Sequence, residues 1–199
     1  MDDVHETVVG LLDRLGSGDR TALDQLFSIL YDELKDLSRR QRQRWHGNYT
    51  LDTTALVHEA YVKLVGRSRI DVESRAHFRS LAARAMRHIL CDYARDRKAQ
   101  KRGGGAEALT LDEPNVVPGS AGAPGGEGEV NLHTLLTLDD ALRRLEEVDA
   151  RASRVVECRF FGGLTIDETA TAVGISPRTV KRDWAVAQAW LHREMGSPE

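Results

Sequence analysis

The chain has 199 residues, 41% of them hydrophobic and 30% charged, with a net charge of −3 at neutral pH. That length suffices for one or two buried cores, and the composition is that of a soluble globular protein. No run of about 18 apolar residues is present, which argues against a membrane-spanning helix, and the acidic start MDDVHETVVG lacks the basic and apolar regions of a secretory signal.

Val4 to Leu15 carries the spacing of a short amphipathic helix, closed by Gly16-Ser17-Gly18. Asp19 is placed to cap a longer helix from Arg20 to about Trp45, with Leu23, Leu26, Phe27, Leu30, Leu34 and Leu37 on one face. Its basic end, SRRQRQRW, reads equally well as a phosphate-facing end and as a solvated terminus. Asp52 or Thr53 caps a third helix, TTALVHEAYVKLVG, whose Leu56, Ala60 and Leu64 stripe is widened by Val57, Tyr61 and Val65. So broad an apolar face can serve both a core and a partner helix. His58-Glu59 lacks the second histidine four residues on that a helical zinc site needs, so a surface pair is the better reading and no metal is expected.

A fourth helix is predicted from about Ser74 to Arg102, about 40 Å long at 1.5 Å per residue. Phe78, Leu81, Ala82, Ala85, Ile89 and Tyr93 form its expected buried stripe. Arg84, Arg87, Arg95, Lys98 and Arg102 line up opposite, with Cys91 among them. The net charge hides this segregation, since Arg75 to Arg102 holds nine Arg or Lys against two Asp. A solvated face usually mixes signs, so a row this uniformly positive reads as a phosphate-tracking face whose binding releases counterions. Residues 103–130 follow, with eight glycines, three prolines, five acidic residues and no basic ones. Such a segment buries too little to offset its ordering entropy and is expected to be a flexible acidic tether between helical domains at 1–102 and 131–199.

Beyond the tether, Leu135 to Val148 and Asp149 to Phe161 read as two more helices, with Cys158 a small buried apolar residue. Cys91 and Cys158 stand far apart and point to a reducing cytoplasm rather than a disulfide. The stretch LTIDETATAVGISPRTVKRDWAVAQAWLHREM then reads as two helices joined by a tight turn. Thr165 is the N-cap, Glu168 closes a capping box, and Ile166, Thr169, Ala170 and Val173 form the buried stripe. Gly174 leaves the first helix with positive φ, and Ser176-Pro177 opens the second. On that second helix Val180, Trp184, Ala187 and Leu191 face one way and Arg178, Lys181 and Arg182 the other. The competing reading is an αα-hairpin with a solvated face, but cations in the first turns favour a helix-turn-helix whose second helix enters the DNA major groove. Asp183 suits either a cytosine amino group or a surface salt bridge. The expected class is all-α, with two helical domains, a flexible linker and a C-terminal helix-turn-helix.

In this order and spacing, TTALVHEAYVKLVG, HFRSLAARAMRHILCDYARDRKAQKR and RASRVVECRFFGGLTIDETATAVGISPRTVKRDWAVAQAWLHREM resemble the extracytoplasmic-function (ECF) sigma factors of RNA polymerase over nearly the whole chain. The resemblance implies a cytoplasmic protein that binds core RNA polymerase and directs initiation at promoters with −10 and −35 elements. It puts Leu56, His58, Glu59 and Val62 on the clamp helices of the largest subunit, with the polymerase flap as a further contact. It puts Arg84, Arg87, His88, Arg95 and Lys98 on the −10 element, with His88 where many members place an Asn beside a flipped base. Ser176, Arg178, Thr179, Lys181 and Arg182 fall on the −35 element, and the tether along the RNA exit path. An anti-sigma factor is a further partner such proteins can have; no cofactor and no membrane contact are implied. The alternative is a helix-turn-helix regulator that binds duplex DNA without joining polymerase, which explains Leu164 to Met195 but neither the basic helix nor the tether. An enzyme is not expected, because no phosphate-binding glycine loop, metal-ligand spacing or nucleophile–base pair is evident.

Overall fold

The structure is a computed structural model and describes residues 2–45, 51–67, 70, 72–103 and 132–196. Every regular element among them is helical: α1 (Asp2–Gly16), α2 (Thr21–Ile29), α3 (Tyr31–Arg44), α4 (Thr53–Val65), α5 (Arg75–Gly103), α6 (Leu132–Val148), α7 (Ala150–Val156), α8 (Ile166–Val173) and α9 (Pro177–Gly196). A π-helical turn, Glu157–Phe161, continues α7. The expected all-α class is the one adopted. The expected tether, 103–130, lies outside the described residues apart from Gly103, which ends α5.

Side-chain oxygens define several helix starts. Asp19 accepts from the Thr21 backbone N–H at 3.0 Å and from its hydroxyl at 2.7 Å. Asp52 accepts from Ala55 N–H at 2.7 Å, and Ser74 from His77 N–H at 3.1 Å. Each satisfies a donor that the first turn of a helix leaves without an intrahelical acceptor. One element differs from expectation, because the single helix from Arg20 to Trp45 is two helices that meet at Leu30, where φ is −96° and ψ 10°. Neither Pro nor Gly marks the bend. It keeps Leu26, Leu30 and Leu34 all within 1% exposure as the chain turns around Phe27, so burial prevails over helix continuity. The Phe27 ring meets Tyr61 and Phe78 edge-on at 5.2 and 5.6 Å.

Helix α5 is covered on several sides. Leu56, Val57, Ala60 and Leu64 of α4 are buried in the core that α4 and α5 share. Phe78, Ala82 and Ala85 are buried as expected, whereas Leu81, Ile89 and Tyr93 are only half-buried. The reason is a second buried row, Ala83, Met86, Arg87, Leu90, Cys91 and Ala94, on the helix sides that meet other elements. Packed against α5 are also α6, α8 and the π-helical turn. One cluster of buried apolar side chains therefore runs from α1–α5 through α6, α7 and α9.

At the joint, Trp45 is fully buried and stacks on Phe161, with ring centroids 6.0 Å apart. Gln41 donates to the carbonyls of Ala83 and Phe161 at 3.1 and 3.4 Å, and Arg44 to that of Phe160 at 2.5 Å. The basic end of α3 is thus neither a phosphate-facing end nor a solvated one at Gln41, Arg44 and Trp45, where it grips the π-helical turn. A Cβ on Gly162 would lie 2.7 Å from the Cys158 carbonyl oxygen, so the exit from this turn has room only for glycine.

Candidate nucleic-acid interface

The first face is at the start of α9. Thr165 accepts from Glu168 N–H at 3.2 Å, and the Glu168 carboxylate from Thr165 N–H at 2.7 Å, closing the capping box of α8. Gly174 ends α8 at φ 72°, the left-handed region where glycine avoids the Cβ penalty. Ser176 then accepts from Thr179 N–H at 3.2 Å and fixes the first turn of α9. Val180, Ala187 and Leu191 are buried and Trp184 half-buried, which leaves Ser176, Arg178, Lys181 and Arg182 exposed and Thr179 half-buried. The apolar and cationic sides are those the spacing predicts.

Asp183 does not belong to the open face. It is buried and accepts from Arg151 at 2.6 Å and from Arg182 at 3.1 Å. Burial pushes its carboxyl up, but the two arginines outweigh that and hold it below the usual carboxylate range. It anchors α9 to α7, and the salt-bridge reading of this residue is the one the structure carries.

The second face is the cationic side of α5, where Arg87 is buried and Arg84 and Arg95 are half-buried. Arg87 is buried and donates to Asp139 of α6 and, at 2.8 Å, to Glu157 of the π-helical turn. Arg84 donates to Glu146 at 2.9 and 3.0 Å and lies 3.4 Å from Glu157. Arg95 donates to Asp139 at 2.7 Å, and Arg143 pairs with the same carboxylate at 3.1 Å. Burial raises the Asp139 carboxyl, and Arg87, Arg95 and Arg143 together bring it below its ordinary value. Glu157 goes the other way, because its burial outweighs Arg84 and Arg87. His88 is half-buried beside Arg87, and desolvation with the Arg87 charge lowers its pKa to about 4. Cys91 is buried, which pushes its thiol up to about 12. The side chain of Lys98 lies outside the described residues.

The third face is on α4, where His58, Glu59 and Val62 are exposed, Val62 at 61%. Leu56 is fully buried and shapes this face from beneath.

A family model described as ECF sigma factor matches residues 5–197. The chain belongs to the ECF sigma factor family. As a sigma factor it binds core RNA polymerase and directs promoter-specific initiation, and the reading as a regulator that never joins polymerase gives way to this one. No curated protein and no solved structure matches the chain. No helix among the described residues is long and apolar enough to cross a membrane.

Two residues of this sigma factor that organise the α5 face, Asp139 and Glu157, escape a reading of the sequence by charge clusters. A signal was present. Asp139 is spaced with Leu135, Leu138, Leu142 and Leu145 on the apolar stripe of α6, and Glu157 sits inside the apolar run VVECRFF. A carboxylate on a buried stripe needs a cationic partner, because burying it alone is prohibitive.

Proposed function

We propose that the chain divides its work among a region 1–102 that holds polymerase and the −10 element, a linker 103–130, and a region 131–199 that reads the −35 element. The −35 reading rests on one observation: Arg178, Lys181 and Arg182 are exposed in the first turns of a helix whose start is capped by Ser176. Ser176 and Thr179 add hydroxyls suited to phosphate and base edges. On α4, His58, Glu59 and Val62 offer a solvent-facing patch to the clamp helices of the largest polymerase subunit, with Leu56 as its support; the polymerase flap is a further contact. Arg84, Arg87, His88, Arg95 and Lys98 serve the opened −10 strand, where charge and stacking matter more than a full base code. The work takes place in the cytoplasm, needs no cofactor, and leaves the chemistry to the polymerase. An anti-sigma factor, where the chain has one, acts on the same surfaces.

The test is reconstitution with sigma-free core polymerase and a promoter library. Arg178→Ala or Lys181→Ala should weaken binding to −35 duplexes about tenfold or more while polymerase pull-down stays intact. Glu59→Lys should do the reverse. Equal loss of both activities in the arginine variant would mean misfolding, and an unchanged pull-down with Glu59→Lys would remove α4 as the partner face.

A further inference from the structure

The arginines assigned to the −10 strand are already occupied within the chain. Arg84, Arg87 and Arg95 of α5 are met by Glu146 and Asp139 of α6 and by Glu157 of the π-helical turn. Arg84, Arg87 and Arg95 each have a carboxylate where a phosphate would otherwise sit. We infer that this is a self-closed form, in which acidic side chains of the C-terminal helices stand in for the phosphates of the opened strand and exclude it from α5.

The inference rests on the −10 assignment of α5 made above. Three features support it beyond the ion pairs. Arg87 is buried in the closed arrangement, so no strand reaches it without separation of α6 and the π-helical turn from α5. The exchange is like for like, because an arginine released from a carboxylate finds an equivalent bidentate acceptor in a phosphate. The other two faces stay open: His58, Glu59 and Val62 on α4, and Arg178, Lys181 and Arg182 on α9, are exposed while α5 is covered. Docking on polymerase or on a −35 duplex can thus precede opening, and opening is what admits the −10 strand.

Cys158 of the π-helical turn donates to the Ser80 hydroxyl of α5 at 3.2 Å, and this pair offers a lock. In full-length Ser80→Cys/Cys91→Ala, oxidation by diamide should join Cys158 to the new thiol, as seen by thiol titration and non-reducing electrophoresis. Run-off transcription is then measured with core polymerase on a promoter that the wild-type holoenzyme selects from a random library. The oxidised protein should transcribe at least tenfold less than the same protein reduced, dithiothreitol should restore it, and polymerase pull-down should be unaffected. A cross-linked protein that transcribes as well as the reduced one overturns the inference, and so does a native protein in which the thiols fail to pair. A wild-type protein that selects no promoter at all would instead overturn the sigma assignment, which the thiol readout distinguishes. A second variant guards against misfolding of the first. Asp139→Asn/Glu146→Gln should raise transcription several-fold at limiting sigma concentration, and a fall or no change with native helicity overturns the closure.

Discussion

Half-buried on α5, His88 faces the charges of Arg87, Asp139, Arg84 and Lys63, and its pKa lies near 4 against an ordinary 6.5. A base depressed on folding contributes stability that is complete above its unfolded pKa and is lost as pH falls through 6.5 toward 4, because the unfolded chain takes up the proton first. The melting temperature should therefore drop more between pH 7 and 4.5 in the wild type than in His88→Gln, and equal slopes in thermal denaturation would remove His88 as the cause. The environment of this residue was not legible in the sequence, where it is one histidine among arginines. Asp183 shows how far residue-level reading reaches: the sequence narrows it to a base contact or a salt bridge, and only the arrival of Arg151 from α7 decides between them.

At the scale of elements, legibility followed local chemistry. The capping box at Thr165 and Glu168, the left-handed Gly174 and the Ser176-Pro177 start of α9 each act within a few residues, so sequence spacing was enough to place α8 and α9. The bend at Leu30 and the π-helical turn at Glu157–Phe161 were hidden, because both answer to distant packing, the first to Phe78 and Tyr61 and the second to Gln41 and Trp45. The turn also makes a sharp prediction. Gly162→Ala sets a methyl 2.7 Å from the Cys158 carbonyl oxygen, a backbone atom that cannot swing aside. The cost should be about 1–3 kcal/mol, the range for overpacking a filled interior, and urea denaturation should show it as a lower midpoint with an unchanged slope. A midpoint within error of the wild type would mean that the π-helical turn relaxes freely.

For the molecule as a whole, a net charge of −3 conceals a basic α5 and acidic partners on α6 and the π-helical turn. Charge segregation along the chain was legible, and in the free protein Arg84, Arg87 and Arg95 of that helix meet carboxylates. Which anion occupies it in the free protein was not legible, because Asp139 and Glu157 lie 52 and 70 residues from Arg87 in sequence and meet it only through the fold. The apolar cluster common to α1–α5 and α6–α9 has a thermal consequence. Neither set of helices can lose its structure while the other keeps its apolar surface out of water. Scanning calorimetry of the free protein should record one endotherm with equal van't Hoff and calorimetric enthalpies. Two resolved endotherms would mean that each set of helices holds its own fold without the other.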